Sequence, residues 1–405
     1  MFIVFLIAPV ISLPIVFYAL LKNQNKNNFY IFILAGILAV IGYGFIPNQN
    51  SDLFRYFIML DYMKLNDFGY TIKNSNGLFL QDTIFYLISQ TNNYHLLPAI
   101  SSLFTYWCVF YIISYHARRE RMSQKIPIIF MIIFVLALGF QVPFSMIRNG
   151  WAFSMFFLAI YMDLVLKKKK LITLPLYILP LFLHHSIFVL ILLRIVLPVF
   201  KKTNKILSIL LLILYPLGIG IFLSFFERIA QLNSYLYAFY YKLNYTSQRL
   251  NDEFTIGYSI QNGDIVNTLR KLGTTSILVT ILILTLLAIN YIYKKNPMSF
   301  REYRDYYTFL IILSFFSLSS LSYVIVFDRY AMSILFICSP VFITYWKLIK
   351  KDFNNKMKSL YFIFFVSFIL IYSFIYTIKR NSNYPEWISS LPYNLFKNIF
   401  NLFYF

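Results

Sequence analysis

Four short stretches of this 405-residue chain bring together side chains able to handle anions and protons. The first is Ser51-Asp52-Leu53-Phe54-Arg55-Tyr56. As a helix it would place Asp52, Arg55 and Tyr56 on one face through the i, i+3, i+4 spacing, with Ser51 at the N-cap. The second is Arg148-Asn149, in the short turn PFSMIRNG. The third is His184-His185, followed by Ser186, and the fourth is Asp328-Arg329-Tyr330. Each also has a plainer reading. An exposed ion pair is worth little in water, an interfacial arginine can be a snorkelling anchor, and a histidine can be a hydrogen-bonded structural group. In combination the set points to phosphate chemistry. Two arginines suit a diphosphate, because guanidinium forks match phosphate oxygens bidentately and stay charged at any relevant pH. Adjacent histidines on a helix point about 100° apart, which argues against one metal held by both.

The elements that must position these residues are membrane helices. Sixty per cent of the chain is hydrophobic and only 13 per cent charged, with a mean hydropathy of +0.67. Apolar runs long enough for a hydrocarbon core about 30 Å thick recur throughout. They are continuously apolar and bounded by polar clusters rather than alternating with period 2, so they read as helices. Twelve runs are expected, at about 1–21, 29–46, 96–116, 126–141, 151–166, 171–185, 187–200, 206–226, 272–293, 306–326, 331–349 and 359–378. The expectation is one polytopic membrane domain over residues 1–405, with two long outer loops at about 47–95 and 227–271. The N-terminal stretch has no basic residues ahead of its apolar run and reads as a first span rather than a signal peptide.

The net charge of +21 does not mark a nucleic-acid binder, because the basic residues sit in short loops and no basic stripe is interleaved with stacking aromatics. Lys22 and Lys26, Arg118 to Lys125, Lys167 to Lys170, Lys201 to Lys205, Lys294 to Arg304 and Lys347 to Lys358 all fall on one side, 22 of the 36 basic residues. That side is cytoplasmic by the positive-inside bias. Residues 171–200 lie between two such clusters, so the chain must enter and return as two short helices broken at Pro175 and Pro180. Their apex, His184-His185-Ser186, then lies at membrane depth, where non-helical backbone is tolerated only in protein or beside a wet cavity. Ionisable groups at that depth are functional candidates. Cys108 and Cys338 both fall inside apolar runs, so neither a disulfide framework nor a metal site is expected. There is no Walker A loop, HExxH, GxSxG or CxxC pair, and Gly42-Tyr43-Gly44 lacks the context of a nucleotide fingerprint. No cofactor or metal is expected.

These residues in this order resemble the EpsG/Wzy-like bacterial polysaccharide polymerases of O-antigen, capsule and exopolysaccharide pathways. The resemblance rests on Asp52-x-x-Arg55-Tyr56 after the second run, Ile147-Arg148-Asn149-Gly150-x-Ala152 opening the fifth, His184-x-Ser186 in the middle and Arg329-Tyr330 near the end. Together these span roughly 50–330. The glycine-rich stretch usual in the family is IPNQNSDLFRY here.

The resemblance implies a helical bundle akin to the GT-C membrane glycosyltransferases, embedded in the bacterial inner membrane with its active site facing the periplasm or exterior. It implies a polyprenyl-diphosphate-linked oligosaccharide as donor and acceptor, with chain-length regulators and a flippase as pathway partners. Arg148 and Arg329 would clamp the diphosphate. His184 would activate the acceptor hydroxyl or contact phosphate, with Asp52 the alternative base. Arg55, Tyr56, Asn149, His185 and Tyr330 would bind substrate, and Tyr56 and Tyr258 could stack on sugars. Three other activities fit such a membrane protein; one, an ion-coupled transporter, would usually bury acidic residues mid-span, and Asp163 is the only acid placed within a run. A lipid-linked oligosaccharide flippase should show two related halves, and no internal repeat is present. A membrane O-acyltransferase would need cytoplasmic access to its histidine.

Overall fold

A computed structural model describes residues 2–22, 27–47, 51–75, 77–138, 142–202, 227–231, 265–322 and 324–351, together with positions 49, 237, 240 and 399. Among these residues every regular element is helical and there is no strand. The expected runs at 206–226 and 359–378, the segment 241–264 with Tyr258, and Lys205, Lys356 and Lys358 lie outside the described residues.

The described residues divide into two compact units, one drawn from 1–163, 168–184 and 349 onward, the other from 164–167 and 185–348. In the first, α1 (Phe2–Ile7) and α2 (Pro9–Lys22) together form the first apolar run, broken at Ala8. They precede α3 (Asn27–Tyr43). After the cap helices α4 (Asp52–Lys64), α5 (Phe68–Lys73) and α6 (Phe79–Gln90) come α7 (Leu96–Arg119) and α8 (Lys125–Leu138). A single-turn helix, α9 (Val142–Ser145), leads into α10 (Ile147–Leu164), and α11 (Lys170–Ile178) ends in a 3₁₀ turn, Leu179–Phe182. The 24 residues of α7 reach about 36 Å at 1.5 Å per residue, enough to cross a hydrocarbon core.

Small residues let these helices approach closely, as is usual where helices pack in lipid. A Cβ on Gly42 of α3 would lie 2.6 Å from Ser102 Oγ and 3.0 Å from the Pro98 carbonyl oxygen of α7. A Cβ on Gly150 of α10 would lie 3.0 Å from Thr105 Oγ1 of α7. Ser101 Oγ donates to the Pro143 carbonyl at 2.6 Å, pinning α9 to the same face. The C-terminal end of α3 and the N-terminal ends of α7 and α10 therefore share one end of the unit. At the opposite end Arg118 donates to Asn28 Oδ1 at 3.2 Å, and His116 meets the Tyr161 hydroxyl at 3.3 Å. The basic clusters that follow α7 and α10 lie at that opposite end.

Residues 47–95, expected as a long loop, instead fold mostly as three helices at the first end. Local sequence explains why. Ser51 accepts from Phe54 N–H at 3.3 Å and caps α4 as its spacing predicts, and Asp67 accepts from Tyr70 N–H at 2.7 Å and caps α5. In α6 the residues Gln81, Asp82, Phe85, Ile88 and Ser89 recur at helical spacing and are buried.

The second unit contains α12 (Ile187–Lys202), α13 (Ile265–Lys295), α14 (Pro297–Glu302), α15 (Arg304–Ser319), α16 (Val324–Ser333) and α17 (Ser339–Lys351). Tyr303, Tyr306 and Tyr307 are buried at the start of α15, and the Tyr306 hydroxyl donates to the Ile337 carbonyl.

Two described helices are long and apolar enough to cross a membrane, Leu96–Arg119 and Gly273–Lys295. The pair Val326–Phe336 and Ser339–Lys350, bent by 54° at its break, makes a third if it is one span. Five further apolar helices are shorter: Pro9–Lys22, Asn28–Tyr43, Lys125–Leu138, Lys170–Phe182 and Ile187–Phe200. The full set of twelve spans is thus not reached by the described residues. The two short helices on either side of the histidine pair match the expectation for 171–200. Pro175 lies within α11, Pro180 opens the 3₁₀ turn, and residues 183–186 are non-helical.

Candidate functional site

The first unit builds a cationic site at the start of α10. Arg148 is not in a turn, as the sequence suggested, but in the first turn of α10, after the break at Met146. Its guanidinium is held by two neutral acceptors. Nε donates to the Tyr56 hydroxyl at 2.8 Å and Nη1 to Gln81 Oε1 at 3.3 Å. The group also stands over the Tyr56 ring, 5.2 Å from its centroid, in cation–π range. Among the described residues no carboxylate lies within ion-pairing distance of it. Two of five N–H groups are thus spent on orientation, and the charge is left uncompensated.

The partners are fixed in turn. Gln81 is 3% exposed and Asp82 4%. Gln81 Nε2 donates to Asp82 Oδ1 at 2.8 Å, which directs the amide oxygen, rather than the amide nitrogen, at Arg148. Tyr56 packs edge-on against Phe85 at 5.4 Å, and Phe85 against Trp151 at 6.5 Å. Arg148 and Trp151 stand at i, i+3 on α10, and Gln81 and Phe85 at i, i+4 on α6, so one face of each helix meets the other. Trp151 Nε1 and Asn149 Oδ1 are buried without a hydrogen-bond partner among the described residues. Three features converge on one end of α10: a charged fork, an unused indole N–H and the positive pole of a helix with no acid in its first turn. Such an arrangement favours a bound anion. Tyr56→Phe keeps the ring beneath the guanidinium but removes the acceptor for Nε–H. It is expected to lower turnover about 10- to 100-fold, the effect of roughly one charge-assisted hydrogen bond, measured at unchanged protein level.

The remaining candidates are placed as follows. Asp52 and Arg55 pair with each other at 3.6 Å on α4, with side chains 52% and 70% exposed, while Tyr56 is buried. His184 follows the 3₁₀ turn, its N–H donating to the Pro180 carbonyl at 3.0 Å. His185 belongs to the second unit, and its backbone carbonyl accepts from Phe188 N–H at 3.1 Å. Asp328-Arg329-Tyr330 lies within α16 rather than in a turn, because the flanking apolar residues carry the helix straight through the charged pair. Tyr330 is buried, donates to the Ser186 carbonyl at 3.0 Å and stacks edge-on with Phe316 at 5.1 Å. Its role in the fold is to tie α16 to the histidine turn. Arg148 stands in the first unit and Arg329 in the second.

At the same end of the first unit, burial holds the His95 imidazole below its usual range and therefore neutral, against a smaller opposing effect from its hydrogen bond to the Tyr43 backbone. The Tyr94 phenol is pushed up to about 12, chiefly by its hydrogen bond to Asp61, which stabilises the protonated form. Sequence reasoning missed Gln81, Asp82, Trp151 and His95. For α6 the signal was present: polar residues at the buried positions of a helical repeat.

The sequence profile of the EpsG family matches residues 37–395. The chain belongs to the EpsG family. The match covers every candidate above, from Asp52 to Tyr330, and reaches into both units of the fold. Membership agrees with a membrane protein concerned with polysaccharide. Comparisons with curated proteins and with solved structures gave no match.

Proposed function

We propose that this EpsG family member is a polysaccharide polymerase. It joins polyprenyl-diphosphate-linked oligosaccharide repeat units into O-antigen, capsule or exopolysaccharide on the outer face of the bacterial inner membrane. The observation that carries this reading is Arg148, charged, uncompensated and aimed by Tyr56 and Gln81. The hydroxyl oxygen of the acceptor sugar forms a bond to the anomeric carbon of the donor. The bond from that carbon to the diphosphate oxygen breaks, and the lipid diphosphate leaves. The hydroxyl proton passes to His184 or to the departing phosphate; Asp52, exposed and paired with Arg55, is not assigned that role. Arg148 stabilises charge developing on the leaving group. Preorganised donors of this kind contribute about 3–4 kcal/mol each. The basic clusters beyond α7 and α10 lie at the end of the first unit opposite the site, which by the positive-inside bias supports an outward-facing site. Chain-length regulators and a flippase are the partners such a polymerase works with.

The test is a polysaccharide gel from a strain lacking the gene, complemented with wild type or with Arg148→Ala. Loss of the long-chain ladder with one repeat unit still transferred, restored by wild type alone, supports polymerisation. Accumulation of lipid-linked repeat units inside the cell would contradict it in favour of transport. An unchanged ladder with altered acetylation would contradict it in favour of acyl transfer.

A further inference from the structure

Beside the arginine site, four rings run in series at the capped end of the first unit. Tyr43 and His95 lie 5.6 Å apart, His95 and Phe57 5.7 Å, and Phe57 and Tyr94 6.0 Å, centroid to centroid. All four side chains are only half-buried. Each phenol at the ends of the row is tethered to a planar polar group. Tyr43 shares hydrogen bonds with Asn93 at 2.8 and 3.1 Å, and Tyr94 donates to Asp61 Oδ1 at 2.6 Å. In the middle of the row His95 bonds to the Tyr43 backbone, while its Nδ1 has no hydrogen-bond partner among the described residues.

A structural core would bury these rings fully and satisfy every polar atom. A lipid-facing surface would not pair its aromatics with a carboxylate and an amide. Partly exposed aromatic rings flanked by a few fixed planar polar groups are the composition of a small-molecule site for a polyol. The row also has a defined neighbour. Phe57 follows Tyr56, the residue that holds Arg148, so α4 carries the arginine site and the ring row on adjacent positions.

We propose that the row Tyr43–His95–Phe57–Tyr94, with Asn93 and Asp61 at its edges, is a glycan-binding subsite that seats a sugar of the repeat unit next to the diphosphate site. The sugar's apolar face lies on the rings. Asp61, which is exposed, and Asn93 accept from its hydroxyls. Because burial keeps His95 neutral, it offers a ring rather than a cation and adds no claim on the phosphate. The proposal rests on the polymerase reading for the identity of the sugar.

The test uses the full chain in lipid nanodiscs and a probe without lipid or phosphate: the repeat-unit oligosaccharide cleaved from its carrier, taken from the deletion strain. Saturable binding is read by saturation-transfer NMR titration. Wild type is expected to bind the probe saturably although it lacks lipid and diphosphate. Phe57→Ala and Asp61→Asn should each weaken binding at least fivefold. His95→Ala, which removes the ring between Tyr43 and Phe57, should do so as well. Absence of saturable binding to wild type, or binding that all three variants leave within twofold, overturns the subsite. A lipid-contact surface would give the former. Either result is separable from failure of the polymerase reading, which is scored by the dependence of the polysaccharide ladder on Arg148 and not by the free oligosaccharide.

Discussion

Arg148→Ala is expected to abolish detectable polymer, with turnover lowered at least about 10²- to 10³-fold, the cost of removing one preorganised donor to a developing anion. Several features make the effect large. The guanidinium has no carboxylate within ion-pairing distance among the described residues, so its charge is available to substrate. Its orientation is set at three points: the Tyr56 hydroxyl, the Tyr56 ring and Gln81. It also opens α10, where the helix dipole adds to the same potential. Arg148→Lys separates charge from geometry. A lysine keeps the cation but cannot donate to Tyr56 and Gln81 while presenting a fork to phosphate. It should recover only a small part of the activity, within about tenfold of alanine. Asp52→Asn serves as the contrast. Its carboxylate is exposed and paired only with Arg55, so a change below about twofold is expected, in line with the small worth of exposed pairs. The measurement is polymer yield per unit of membrane-inserted protein, with gel-filtration profiles in detergent showing that each variant folds.

The second large effect is on folding. Gly42→Leu should leave little monodisperse protein, and Gly42→Ala should lower the melting temperature by several degrees. A methyl group at 42 would lie 2.6 Å from Ser102 Oγ, 3.0 Å from Phe144 Cδ1 and 3.0 Å from the Pro98 carbonyl oxygen. The serine hydroxyl is not free to swing away without loss, because it donates to that same carbonyl at 2.6 Å. Overpacking of this kind costs about 1–3 kcal/mol for one methyl and more for a larger side chain. Ser102→Gly in the Gly42→Ala background should restore part of the melting temperature. It removes the closest contact but leaves the backbone carbonyl in place. Equal melting temperatures for wild type and Gly42→Ala would contradict the close approach of α3 to α7. The contact matters for chemistry as well, since Phe144 belongs to the turn of helix that delivers Arg148.

How far the sequence could be read depended on what each residue signals locally. Continuous apolar runs declare helices because backbone polar groups in lipid must bond within their own segment. Ser51 declared a cap, and Pro175 and Pro180 a broken helix, because each acts on its own backbone. Arg148 and Tyr56 could be nominated from residue type, yet nothing in the sequence pairs residues 92 positions apart. Gln81 and Asp82 were hidden for a different reason: they lie in a polar segment that invites a loop assignment, although their spacing with Phe85 and Ser89 is that of a buried helix face. Asp328 and Arg329 misled in the opposite direction. Charged residues at the edge of an apolar run look like a turn, whereas α16 continues through them. Gly42-Tyr43-Gly44 is empty as a nucleotide motif, and only packing reveals that Gly42 is where two helices touch.

The most direct test of the central claim is reconstitution of the purified full-length protein into liposomes with lipid-diphosphate-linked repeat units extracted from the deletion strain. No other protein is added, and products are resolved by length. A ladder of lipid-linked glycans with release of free lipid diphosphate, one for each bond formed, is expected from wild type and not from Arg148→Ala. Movement of repeat units across the bilayer without any increase in length, or a ladder that Arg148→Ala forms equally well, would contradict it.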